Sequence, residues 1–346
     1  YVSSVQGSNY PSLSGNGFIS TMYPSGYDPK LKWEETTTWD AGVDVAFLNN
    51  RISASLDFYL RKSKDLLSYV SVPSGSSTTN MMNQNIGTLK NQGVEFSITA
   101  RPIVTKDFSW TASYNVAYNK NKITKLNNDG SYIETGGISS GNGNNCQVQA
   151  VGHPINSFYL FEQVYDKDGK PLEGVYVDQD NNGVINDDDR RIYHSKDPKV
   201  TMSFSSTFNW KNWDLGIAMH ANIGNYVYAD AMSDHAVVDN CWKNGKLNNL
   251  IQTDYYFNGT VNPAIGIMKS DYWLRNASFL RCDNITLGHT WPYLLDNKMR
   301  LRLYGAVQNP FVITMYKGLD PEVASGIDRD VYPRATTFTI GVVASF

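Results

Sequence analysis

The chain has 346 residues, 41% hydrophobic and 13% aromatic, with 30 Lys and Arg against 33 Asp and Glu and a formal net charge of −3. Without a Lys/Arg block, this near-neutral balance excludes a nucleic-acid partner gripped through its phosphates. No apolar run approaches the roughly 18 residues of a membrane helix; a transmembrane β-barrel escapes that test, because only alternate residues face lipid.

Nine segments alternate apolar and polar residues with period two, as strands with one apolar face do. The first carries Trp39, Ala41, Val43, Val45 and Phe47 on one face and Asp40, Gly42 and Asp44 on the other. A tight turn at Asn49-Asn50 leads to a return strand with Ile52, Ala54, Leu56, Phe58 and Leu60 outward. The third sets Val94, Phe96, Ile98 and Ala100 against Glu95, Ser97, Thr99 and Arg101. After a link at Pro102–Phe108, the fourth carries Trp110, Ala112, Tyr114, Val116 and Tyr118. The fifth and sixth form a hairpin about Lys211-Asn212, with Phe204, Phe208 and Trp210 on one arm and Trp213, Leu215, Ile217 and Met219 on the other. Two more run about Ala277–His289 and Lys298–Gln308. The last, Thr336–Phe346, keeps its alternation to a terminal aromatic residue.

Short links (Asn49-Asn50, Pro102–Phe108, Lys211-Asn212, Trp291–Asn297) alternate with long ones (about Lys62–Gln92, Lys120–Val200, Ile223–Asn276, Asn309–Ala335). Short periplasmic turns alternating with long extracellular loops mark an outer-membrane barrel. The expected fold is therefore all-β, an antiparallel transmembrane barrel whose apolar face, including Val43, Phe58, Phe96, Val116, Ile217, Leu303 and Ile340, meets lipid. The alternation places residues 1–35 outside the cell, residues 36–346 in the barrel, and a long extracellular insertion at about 120–200. Single-chain bacterial barrels have even strand numbers, and open sheet edges do not stand in hydrocarbon. Nine strands therefore read as the C-terminal part of a larger barrel. With no initiator Met and no signal peptide, the expectation is a processed or incomplete chain.

Several runs resemble the TonB-dependent outer-membrane receptors of the SusC/RagA type in Bacteroidetes. They include Leu31–Asp44, Leu48–Ser53, Tyr59–Leu67, Asn85–Phe96, Asp178–Asn186, Gln308–Thr314 and Gly318–Val323, so the resemblance spans nearly the whole chain. It implies a barrel of about 22 strands filled by an N-terminal plug, and a TonB box coupled to the inner-membrane energy complex. It also implies a SusD-like lipoprotein lid and a glycan cargo, or sometimes a peptide. None of the plug or TonB box is visible in this sequence.

One motif carries ligand chemistry. Asp178, Asp180, Asn182, Gly183, Val184 and Asp189 fit the calcium-loop spacing: oxygen ligands at positions 1, 3 and 5, Gly at 6, a backbone carbonyl at 7 and a carboxylate at 12. Asp189 departs from the usual Glu at position 12, and no flanking helix pair is evident. A polar turn without an ion is the other reading. The long loops also hold Tyr226, Tyr228, Trp242, Tyr255, Tyr256 and Trp273, rings suited to stacking on sugar or contacting a lid; packing of the loops against one another is the plainer alternative. His220 reads as a lumen-lining polar residue. His153, His194 and His235 lie in loops without a partner motif. Cys146, Cys241 and Cys282 read as unpaired, with a Cys146–Cys241 bridge as the alternative. No catalytic constellation emerges, so the chain reads as a transporter rather than an enzyme. The competing classes are a secreted calcium-stabilised β-sandwich that binds carbohydrate, and a passive porin or adhesin.

Overall fold

The computed structural model describes residues 4–11, 17–24, 26–73, 75, 79, 81–126, 132–139, 144–235, 242–243, 245–247, 269–294, 298–329 and 331–346. Its centre is one antiparallel sheet of nine strands in which every strand neighbours the next in sequence. In chain order these are β1 (Glu35–Phe47), β2 (Ile52–Lys64), β3 (Gly87–Val104), β4 (Phe108–Leu126), β5 (Val200–Trp210), β6 (Trp213–Ile223), β7 (Phe279–Leu294), β8 (Met299–Thr314) and β9 (Thr337–Ser345).

The register carries the sequence alternation across the whole sheet. Val43 pairs with Leu56, Leu56 with Phe96, Phe96 with Val116 and Val116 with Met202. Further on, Ile217 pairs with Ile285, Ile285 with Val307 and Val307 with Phe338. Directly paired residues share a face, so one side of the sheet is apolar from end to end. That face is not covered by protein: Ile340 is 84% exposed, Phe338 77% and Val43 62%. A β-sandwich would bury it against a second sheet. The secreted sandwich is therefore not what this chain forms, and the apolar side is a lipid face. Where a polar side chain falls there it is satisfied locally, as when Trp110 Nε1 donates to Ser206 Oγ at 2.9 Å. An unmet polar group in hydrocarbon would cost several kcal/mol.

Short turns lie at one end. Leu48, Asn49 and Asn50 all take left-handed φ (52°, 54° and 62°), and Lys211 does the same at 50°. Asn tolerates this conformation because its short amide bonds locally. The wall strands run longer than their alternation indicates. β3 and β4, with 18 and 19 residues, span about 45 Å along the barrel normal at the usual rise and tilt, beyond the hydrocarbon core of about 30 Å. β7 and β8 likewise reach Leu294 and Thr314 rather than stopping at His289 and Gln308.

The long connections are not structureless. A hairpin pairs residues Leu67–Ser71 with Met81–Asn85. A second sheet in the 120–200 connection orders its strands Arg190–Ser195, Ser157–Phe161, Asn145–Ala150 and Tyr132–Gly137. The first segment holds a hairpin of Ser4–Pro11 with Phe18–Pro24. The protein-packed core lies among these loops and not in the wall. Ile138, Cys146, Phe158, Leu160, Tyr228, Trp273 and Ile327 form it. Among the described residues no helix is long and apolar enough to cross a membrane. Crossing is done by the strands.

Candidate functional site

The polar side of the sheet forms a lumen wall. Cross-strand hydroxyl and amide pairs run along it: Ser55 with Ser97 at 2.6 Å, Thr99 with Ser113 at 2.9 Å, and Asn115 Nδ2 donating to Ser203 Oγ at 3.0 Å. Arg302 closes on Asp214 through Nε at 3.1 Å and Nη2 at 2.5 Å. A concavity of about 430 Å³ opens on this side, lined among others by Asp57, Glu95, Asn115, Ser203, His220 and Asn222.

His220 lines the wall, within an ion network. A bulge in β7 offsets the pairing between Ala218 and Met219 and leaves Asp283 unpaired in the ladder. Bulges re-aim side chains, and here the Asp283 carboxylate meets His220 Nδ1 at 2.8 Å. The Gln308–Thr314 run forms the facing irregularity in β8, with Asn309 at φ 50° and Pro310 where a ladder donor is not needed. Above it, the connection to β9 folds inward. Arg281 Nη2 donates to Asp320 Oδ1 at 2.6 Å, with both side chains about 4% exposed. Arg334 reaches Asp320 at 3.1 Å and Glu322 at 2.8 Å. Glu322 lies 3.5 Å from both His220 Nε2 and Arg281 Nε. Sequence reasoning did not nominate Arg281, Asp320, Glu322 or Arg334. The run Gly318–Val323 holds Asp320 and Glu322, and no motif marked Arg281 or Arg334.

The same connection ties three loops into one unit. Asp230, 1% exposed, accepts from Ser139 N at 2.9 Å, Ser139 Oγ at 2.8 Å and Arg329 Nε at 2.9 Å. Gln147 Nε2 donates to Ser325 O, and Tyr316 Oη donates to Asp328 at 2.5 Å. Burial raises the Asp328 carboxyl and pushes the Tyr316 hydroxyl well up.

The loop aromatics separate into different settings. Tyr226 is half-buried and stacks on His194, with centroids 3.9 Å apart. Burial first, and then Lys199, hold the His194 imidazole below its ordinary value. Tyr228 and Trp273 were expected among the cargo- or lid-facing rings, but both are fully buried in the loop core and offer no surface. Their alternation with polar neighbours did not reveal that three connections fold over them. Tyr255, Tyr256 and the side chain of Trp242 lie outside the described residues, as do Cys241 and the His235 side chain. Cys146 and Cys282 are free and buried, so Cys146 forms no bridge to Cys241.

The Asp178–Asp189 segment folds as a compact loop beside this unit. Asp178 Oδ2 accepts from Gly183 N at 2.8 Å, Asp180 Oδ1 from Asn182 N at 3.0 Å, and Asn182 Oδ1 from Val184 N at 2.7 Å. The Gly183 bond, chiefly, holds the Asp178 carboxyl below its ordinary value. Gly183 sits at φ 80° and Asn181 at 58°, the sharp turn that the motif requires. Asp189 is buried, taking Gln179 N on one oxygen and Asn186 N on the other, each at 2.8 Å. Carboxylate oxygens of Asp178, Asp180 and Asp189 lie within 4.8 Å of one another. Val184 exposes its side chain, leaving only its backbone carbonyl for a ligand role. Next along, Arg190 lies over the Tyr159 ring at 4.2 Å and pairs with Glu134, docking the loop onto the second sheet.

Comparison with known proteins agrees with this architecture. Residues 1–309 match the family model for TonB-dependent receptor-like β-barrels. The whole chain is 44% identical to TonB-dependent receptor SusC of Bacteroides thetaiotaomicron, covering 35% of that protein. TonB-dependent receptor P3 of Formosa agariphila is 31% identical over 96% of the chain, covering 36% of that relative. The structure superposes on a chain of the RagAB peptide transporter with a TM-score of 0.79 at 25% identity, covering all of this chain and 38% of that one. The chain thus spans about a third of the length of the relatives it matches. A single sheet with a bare apolar face, a polar lumen wall and loops gathered at one end is a stretch of outer-membrane barrel, and the chain belongs to the TonB-dependent receptor β-barrel family of SusC and RagA.

Proposed function

We propose that this stretch of wall serves TonB-dependent import of an oligomeric nutrient, a glycan, beneath a SusD-like lipoprotein lid. TonB would act through a plug and N-terminal strands outside this chain. The observation that carries the glycan reading is the lumen wall itself. Its surface is rich in hydroxyls and amides, as at Ser55, Ser97, Asn115 and Ser203. Two of its inward cations, Arg281 and Arg302, are already closed on Asp320 and Asp214. Sugar hydroxyls exchange hydrogen bonds with such a surface, whereas peptide termini call for uncommitted charges. Likeness to a peptide transporter favours peptide as the second reading. Tyr226, Trp242, Tyr255 and Tyr256 are the rings proposed to meet cargo or lid. The test is uptake of labelled oligosaccharides and peptides by cells carrying the intact receptor, with and without TonB. Glycan uptake that stops without TonB supports the proposal. Uptake that persists makes the barrel a passive porin, and selective peptide uptake replaces the glycan.

We further propose that Asp178, Asp180, Asn182, the Val184 carbonyl and Asp189 hold a structural Ca²⁺ that orders the extracellular loop. The support is the ligand spacing and the convergence of the three carboxylates. Asp180→Ala should remove calorimetric Ca²⁺ binding while the barrel keeps its heat-modifiable migration. Unchanged binding in this variant, or none in the parent at millimolar Ca²⁺, refutes it.

A further inference from the structure

We propose that the lipid face binds one glycerophospholipid of the periplasmic leaflet, with an acyl chain lying in a notch at Gly305. Gly305 faces outward between Leu287 and Ile340. A Cβ built there would meet nothing within 4 Å. Its φ lies outside the left-handed region, so neither backbone conformation nor crowding calls for glycine. The missing side chain lies in an open groove of about 360 Å³, walled by Trp213, Leu287, His289, Trp291 and Leu303. That volume is in the range of small-molecule sites, and its wall is apolar.

Three rings fence one end of the groove. Trp213 packs edge-on to His289 with centroids 4.5 Å apart, and His289 packs on Trp291 at 4.3 Å. His289 Nδ1 is buried there without a hydrogen-bond partner, so the imidazole serves this fence as a packing ring. The fence stands at the short-turn end: Trp213 opens β6 directly after Lys211 and Asn212. Gly305 pairs with Leu287, two positions from His289 and four from Trp291, about 5–10 Å further into the bilayer at the usual rise and tilt. Rings at headgroup depth and a gap at acyl depth match the two parts of a phospholipid. Lys211 and Lys298, both exposed at these turns, supply cations for an anionic phosphate. Because the groove faces outward, neither a plug nor further strands at the sheet edges would cover it.

The test uses the full-length receptor extracted in mild detergent, with retained lipids identified by native mass spectrometry. Gly305→Leu fills the notch, and Ala41→Leu, outward on β1, is the control. The parent and Ala41→Leu should each keep one glycerophospholipid through activation that strips the rest. Gly305→Leu should lose it at least tenfold more readily, with unchanged heat-modifiable migration. As a measurement without substitution, a phospholipid bearing a photoreactive acyl chain should crosslink the parent mainly around Leu287, Leu303 and Gly305. Equal retention by Gly305→Leu, retention of lipid A in place of glycerophospholipid, or crosslinks spread evenly around the barrel would overturn the proposal.

Discussion

Placing Arg at Ile217 tests the lipid face most directly. Ile217 faces outward between Ser206 and Ile285, five positions beyond Asn212 in the short turn. At about 3.4 Å per residue and a tilt near 40°, it stands about 13 Å above the periplasmic rim, halfway across an apolar band about 25 Å tall. Arg costs about 2–4 kcal/mol at that depth and almost nothing near either interface. No relief is at hand, since the neighbouring Ser206 hydroxyl already accepts from Trp110. The expected loss is therefore roughly 30- to 1,000-fold in the folded-to-unfolded ratio. Thr207→Arg is the control, because Thr207 pairs with Gly216 and Thr111 on the opposite, polar face and is exposed there. It should stay within about 0.5 kcal/mol of the parent. The assay is urea unfolding of the full-length receptor in phospholipid vesicles, followed by heat-modifiable migration. If Ile217→Arg proves as stable as Thr207→Arg, or Thr207→Arg is the worse of the two, the face assignment fails.

Two other consequences are open to measurement. Arg281→Ala removes the buried partner of the Asp320 carboxylate and leaves it only the more exposed Arg334, so it should cost less than the roughly 3–5 kcal/mol of a fully unpaired buried charge; it should expose residues 316–329 to protease without unfolding the wall. Arg281→Ala combined with Asp320→Ala should cost less than Arg281→Ala alone, and a larger cost would show that the pair does not anchor the connection to β9. In the ion-free protein, the depressed Asp178 carboxyl should protect the Gly183 amide from hydrogen exchange above the unfolded value of about 3.9. That protection should fade as pH falls through the lower folded value, and protection unchanged across that window would refute the role of this bond.

The wall was legible because a strand has an exact period. Successive side chains point to opposite faces, so Trp39 to Phe47 or Phe338 to Phe346 declare their lipid side with no help from the rest of the chain. Link lengths then supplied strand order and direction, since a two-residue turn leaves a neighbour no other place to pair. Strand ends were less legible. Thr88, Lys90 and Asn91 of β3, and Asn119, Lys120 and Asn121 of β4, lie above the membrane, where both faces are wetted and alternation stops carrying information.

The long connections show the division most clearly. By itself the sequence determined the barrel wall, its lipid face and the spacing of the Asp178–Asp189 loop, because each rests on contacts between near neighbours along the chain. Only the tertiary structure decided that Tyr228 and Trp273 are core, that Asp230 joins Ser139 to Arg329, and that Arg281 holds Asp320 inside the lumen. Those partners are separated by 39 to 99 positions. No local period relates them: what brings them together is the packing of three loops that the consecutive order of the wall strands sets side by side.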